Sequence, residues 1–100
     1  MMEESAMTNV ILCGVGGQGV LLACRVLMEA ALYSKYDVKE TEIHGMAQRG
    51  GSVDSHVRFG DDIASPLISK GTADFVVGFE LCEAVRKLEY LKKDGVLIVN

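Results

Sequence analysis

The chain has 100 residues, 49% of them hydrophobic, with a net charge of -4 and a pI near 5.0. That is one domain with enough apolar content for a core, and well outside the disordered regime. The acidic balance provides no basic stripe to replace counterions, which argues against nucleic acid as a partner.

Residues 1–8, including "MMEESAM", are acidic and carry no apolar signal region; they read as a disordered lead-in. "NVILC", 9–13, fits a strand buried on both faces. "GVGGQG", 14–19, follows it. "VLLACRVLMEAALYSKY", 20–36, is rich in Leu, Ala, Met and Glu and predicts a helix of about four turns, apolar around most of its circumference and so largely buried. Arg25 and Glu29 interrupt it, which excludes a membrane span. "DVKETEI", 37–43, predicts a second strand. "SVDSHVRF", 52–59, alternates cleanly, with Val53, Ser55, Val57 and Phe59 on one face and Ser52, Asp54, His56 and Arg58 on the other. It predicts a half-buried strand whose polar face, His56 included, meets solvent or an interface. The connection 44–51 is too short for a parallel crossover, so this strand runs antiparallel to its neighbour. "DFVVGF", 74–79, predicts a buried strand. "ELCEAVRKLEYL" has helical spacing, "KKDG" ends that helix, and "VLIVN" opens a last strand.

Strand–helix–strand units imply an α/β, three-layer, Rossmann-like fold with a mostly parallel sheet and one antiparallel strand. Such a fold covers its last strand with a further helix, so the chain reads as a fragment of the full domain. Neither linker, repeat nor low-complexity tract is present. Cys13, Cys24 and Cys82 are odd in number and widely spaced, which suits reduced thiols in a cytoplasmic protein rather than disulfides, a metal site or an iron–sulfur cluster.

"GVGGQG" matches G-x-G-x-x-G through Gly14, Gly16 and Gly19, between a strand and a helix. Glu42 stands 23 residues beyond Gly19, where a ribose-binding acid would be. A dinucleotide site and a packing turn both fit. Lys and Ser/Thr do not follow Gly19, so this is no P-loop. The strand ends at 13, 43, 79 and 99–100 fall on one sheet edge, gathering the glycine loop, His44, Glu80 and Asn100 where open α/β sheets bind ligands. Arg49, beside Gly50 and Gly51, is either a loop-borne anion contact or a solvated arginine. There is no nucleophile–base pair, zinc motif or GDG…N thiamine-diphosphate pattern.

"GVGGQGV", "EIHGMAQRGGSVDSHVRFG", "SPLISKG", "ADFVVGFE" and "YLKKDGVLIVN" occur here in the order found in gamma-type domains of 2-oxoacid:ferredoxin oxidoreductases, which the chain resembles from residue 9 to 100. "HGMAQRGG" is most similar to the indolepyruvate type, since pyruvate and 2-oxoglutarate types usually carry another stretch there. The resemblance implies a subunit without a complete active site of its own. The complex would oxidatively decarboxylate an arylpyruvate with coenzyme A, giving acyl-CoA, CO2 and reduced ferredoxin. Thiamine diphosphate, Mg and 4Fe-4S clusters would lie in a large partner subunit, which passes electrons to ferredoxin. By the same resemblance Gly14, Gly16, Gly17, Gln18, Gly19, His44, Gln48, Arg49, Gly50 and Gly51 would line the face towards that cofactor and the CoA entrance. No metal ligand and no catalytic residue is expected in this chain, and neither membrane nor nucleic acid as partner. The alternatives are a pyruvate or 2-oxoglutarate gamma subunit, a scaffold without ligand contact, and a free-standing dinucleotide-binding domain.

Overall fold

The computed structural model describes residues 7–16, 19–44 and 51–100. Five strands form one sheet: β1 (Met7–Val15), β2 (Asp37–His44), β3 (Ser52–Gly60), β4 (Ala73–Gly78) and β5 (Leu91–Val99), ordered β2-β3-β1-β4-β5. β3 is antiparallel to both neighbours, while β1, β4 and β5 run parallel. β2 therefore points the same way as β1, and the carboxyl ends of β1, β2, β4 and β5 share one edge, as the sequence predicts. β1 begins two residues earlier than expected, because Met7 and Thr8 pair with Gly60 and Phe59.

Helix α1 (Val20–Tyr33) covers one face. Val20 and Cys24 pack with Val10, Leu12, Val53 and Val57 into one cluster of buried residues. α1 is less buried than expected: only Val20, Cys24 and Ala31 are buried, and Leu22, Val26 and Tyr33 are exposed. The sheet takes up one stripe of the helix and leaves its other apolar residues open. α1 also stops at Tyr33, three residues short of the expected end. Ser34 caps it, and the N–H groups of Lys35 and Tyr36 donate back to the carbonyls of Leu32 and Ala31. This is a Schellman closure, with Lys35 in the left-handed region at φ 69°.

The opposite face carries α2 (Leu81–Arg86), a single 3-10 turn (Leu88–Tyr90) and the segment 61–72. Ile11, Cys13, Ile68, Ala73 and Val76 form the second cluster. Two expectations fail here. The helix predicted over 80–91 breaks at Lys87, where the backbone turns at φ -94°, ψ 2°. "KKDG" lies inside β5 rather than ending a helix. Its turn chemistry marks a strand irregularity: pairing steps from Ala73↔Leu91 to Phe75↔Val96, so β5 takes up three more residues than β4 over that interval. Gly95 is required there, since a Cβ would stand 2.6 Å from Leu91 Cδ1 and 3.0 Å from the Ala73 carbonyl.

β3 is also more buried than expected. Residues 53–57 are all buried, and His56 is 2% exposed. Segment 61–72 covers its polar face, with the Ile68 N–H donating to His56 Nδ1 at 3.3 Å. β5, by contrast, leaves Val96 and Ile98 exposed on the α1 side and Leu97 and Val99 exposed on the α2 side.

Candidate functional site

The shared carboxyl edge builds the candidate site. β1 delivers Gly14 at its end, buried and paired with Val53. His44 ends β2 and pairs with the same Val53 from the other side. One residue row thus runs His44–Val53–Gly14 across three strands. Past it, the Gly16 N–H donates to the Gly51 carbonyl at 3.1 Å. That bond ties the glycine loop to the loop before β3. Gly19 is the N-cap of α1 at φ 89°, a conformation that suits glycine, and no side chain caps the helix. Among the described residues, then, no side-chain cap occupies the first-turn N–H groups of α1, and a helix start of this kind suits an anion.

On the neighbouring rows, the Phe79 N–H donates to the Cys13 carbonyl at 2.8 Å and the Asn100 N–H to the Gly78 carbonyl at 3.0 Å. Glu80 does not offer its carboxylate to the edge. It caps α2, accepting from the N–H groups of Cys82 at 3.1 Å and Glu83 at 3.0 Å, and these bonds hold its pKa below the usual carboxylate value. Of the predicted site residues, Gly14, Gly16, Gly19, Gly51 and the backbone of His44 come together here. Gly17, Gln18, Gln48, Arg49 and Gly50 lie outside the described residues, as does the His44 side chain.

Cys13 and Cys24 are buried, free thiols, while Cys82 is free and exposed. Burial, with the Asp54 charge behind it, pushes Cys13 up to about 12, and burial pushes Cys24 up to about 11. Among the described residues no group of three His, Cys, Asp or Glu side chains could hold a metal ion.

Sequence reasoning missed a polar layer beneath the edge, on the α2 side. Lys87 Nζ meets Asp54 Oδ2 at 2.7 Å, both largely buried. Burial works to lower the Lys87 pKa, but the hydrogen bond and charge of Asp54 outweigh it and the net shift is upward. Asp54 Oδ1 is buried without a hydrogen-bond partner. The pair fastens the end of α2 to the strand that begins just after Gly51. The signal was present as polar alternation in β3, but the partner that meets Asp54 comes from the end of α2 and is set by tertiary packing.

The topology also tests the dinucleotide alternative. β3 lies between β1 and β2. Glu42 thus stands two strand spacings from the glycine-loop strand, roughly 9–10 Å, instead of on its neighbour. Its register partner is Ser55 on the α1 face.

The family model for pyruvate ferredoxin/flavodoxin oxidoreductase matches residues 9–100. The chain is 48% identical over 92 residues to the indolepyruvate oxidoreductase subunit IorB of Pyrococcus horikoshii, covering 92% of this chain and 46% of that protein. It is 32% identical over 89 residues to the pyruvate synthase subunit PorC of Methanocaldococcus jannaschii, covering 87% and 50%. The crystal structure of the Thermotoga maritima pyruvate oxidoreductase subunit PORC superimposes with a TM-score of 0.76 at 28% identity, covering 97% of this chain and 51% of that one. The chain thus spans about half the length of the relatives it matches.

Proposed function

Because the chain belongs to the pyruvate ferredoxin/flavodoxin oxidoreductase family, we propose that it serves as the gamma-type part of an oxidoreductase complex that converts indolepyruvate or a related arylpyruvate, with coenzyme A, to acyl-CoA, CO2 and reduced ferredoxin. The identity of 48% to an indolepyruvate-type subunit, against 32% and 34% to pyruvate- and 2-oxoglutarate-type subunits, supports the substrate class.

The observation that carries the reading is the Gly16–Gly51 hydrogen bond, which makes one surface of two loops at the sheet edge. Thiamine diphosphate, Mg and 4Fe-4S clusters in a large partner subunit supply the decarboxylation and electron-transfer chemistry. This chain's part is to shape and bind. The uncapped start of α1 and Arg49 hold an anionic group of coenzyme A or of the partner, and His44 orients the loop that bears Arg49. Location in the cytoplasm fits reduced cysteines, and among the described residues no helix is long and apolar enough to cross a membrane.

Arg49→Ala in the reconstituted complex is the direct test. The KM for coenzyme A should rise about tenfold or more with assembly intact, the loss of one charged contact. An unchanged KM with intact assembly removes Arg49 from the site. A panel of 2-oxoacids assayed with a viologen acceptor checks the substrate class, with indolepyruvate expected to give the highest kcat/KM.

A further inference from the structure

Away from the loop edge, α1 and the edge strand β2 leave a cleft between them with a volume of about 370 Å³. Leu21, Arg25, Met28 and Leu32, at positions i, i+4, i+7 and i+11, make its helical wall. Leu21 and Leu32 are 50% and 57% exposed, a high value for leucines on a helix that packs against a sheet. Glu40 and Glu42 of β2 make the opposite wall, and Glu29 lies on the rim. Three carboxylates and the guanidinium of Arg25 thus line the same cleft.

The acids are placed where a cation would be useful. Glu40 Oε2 is buried and accepts no hydrogen bond. Ser55, which shares the α1 face with Glu40 and Glu42, is fully buried, and its Oγ also lacks a hydrogen-bond partner. Burial, with the Glu42 charge behind it, raises the Glu40 pKa. An arriving ammonium or guanidinium would give Glu40 Oε2 the hydrogen bond it lacks. Along the chain the cleft lies close to both loops. Leu21 is two residues past Gly19, and Glu42 is two before His44.

We infer that this cleft is a docking groove for a segment of the large partner subunit that lays apolar side chains along Leu21, Met28 and Leu32 and sets a Lys or Arg side chain against Glu40 and Glu42. The inference rests on the gamma-type reading above, and deepens it by naming a contact surface outside the two loops.

The test uses the full-length subunit and its large partner. Binding is measured at several salt concentrations for the wild type, for E40Q/E42Q and for E40K/E42K. Thermal unfolding of each isolated subunit establishes that the fold is retained. A loss of about tenfold in affinity for E40Q/E42Q, a larger loss for E40K/E42K and a shallower salt dependence for both are expected. L32D serves as a second, independent variant on the opposite wall and should weaken association without touching the acids. If the folded variants bind the large subunit with wild-type affinity, the groove is not a docking site and the gamma-type reading stands. If the wild-type subunit fails to bind a large subunit at all, that reading falls instead.

Discussion

The two faces of the sheet are built on different principles. On the α1 side, the apolar inward residues of β1 and β3 are Val10, Leu12, Val53 and Val57, beside the buried Ser55, and the helix adds Val20 and Cys24. On the α2 side, Ile11 and Cys13 of β1 join the second apolar cluster, and the same two strands also present Asn9, Asp54, His56 and Arg58, each with at least one polar partner. Asn9 bonds to the Thr72 carbonyl and accepts from Arg58, Asp54 takes Lys87, and His56 accepts from Ile68. The first face is held by area removed from water and tolerates no missing volume. The second adds to its apolar cluster a polar layer held by geometry, which fails where one partner is removed and the other stays buried.

Substitutions separate the two. Leu12→Ala on the α1 side should cost about 3 kcal/mol in denaturant unfolding, the loss of buried methyl groups plus a cavity. Asp54→Ala should cost about 2 kcal/mol, because it strands a largely buried ammonium, whereas Asp54→Leu combined with Lys87→Met should recover most of that loss. If the double variant is no better than the single one, the pair is not the source of the effect. The faces should also differ in pH response. Burial lowers the His56 pKa, so the folded protein binds that proton less readily than the unfolded chain does. The His56 contribution is fully present above the unfolded histidine value and is lost as pH falls through the folded one. His56→Gln should flatten that acid-side loss in a series of pH-dependent melts. The smallest effect lies at the end of α1. Replacing Lys35, at φ 69°, by glycine should stabilise by about 0.5–1 kcal/mol.

How much of this the sequence revealed follows from range. The short 44–51 connection required β3 to run antiparallel, and the positions of the strand ends placed both glycine loops on one edge; both are local properties of chain length and pattern. The cover on His56 could not be read, because 61–72 lacks periodicity and reaches β3 only through tertiary contacts such as Ile68 to His56. The helix over 80–91 looked continuous because Leu88 and Leu91 keep helical spacing. The structure uses Lys87 as a cap and Leu91 as the start of β5. At the site, Glu80 was placed at the right edge but read without the N–H groups of Cys82 and Glu83 that occupy it.

The single bond from Gly16 to Gly51 has a thermodynamic consequence. An occupant of the glycine loop that needs this bond intact also holds the carbonyl next to Ser52 in place, and with it the approach to β3. Where a ligand of the second loop needs the same bond, binding at either loop favours binding at the other by the same factor, since linkage has no preferred direction. Two ligands of one surface would be sensed together, with no larger motion of the sheet.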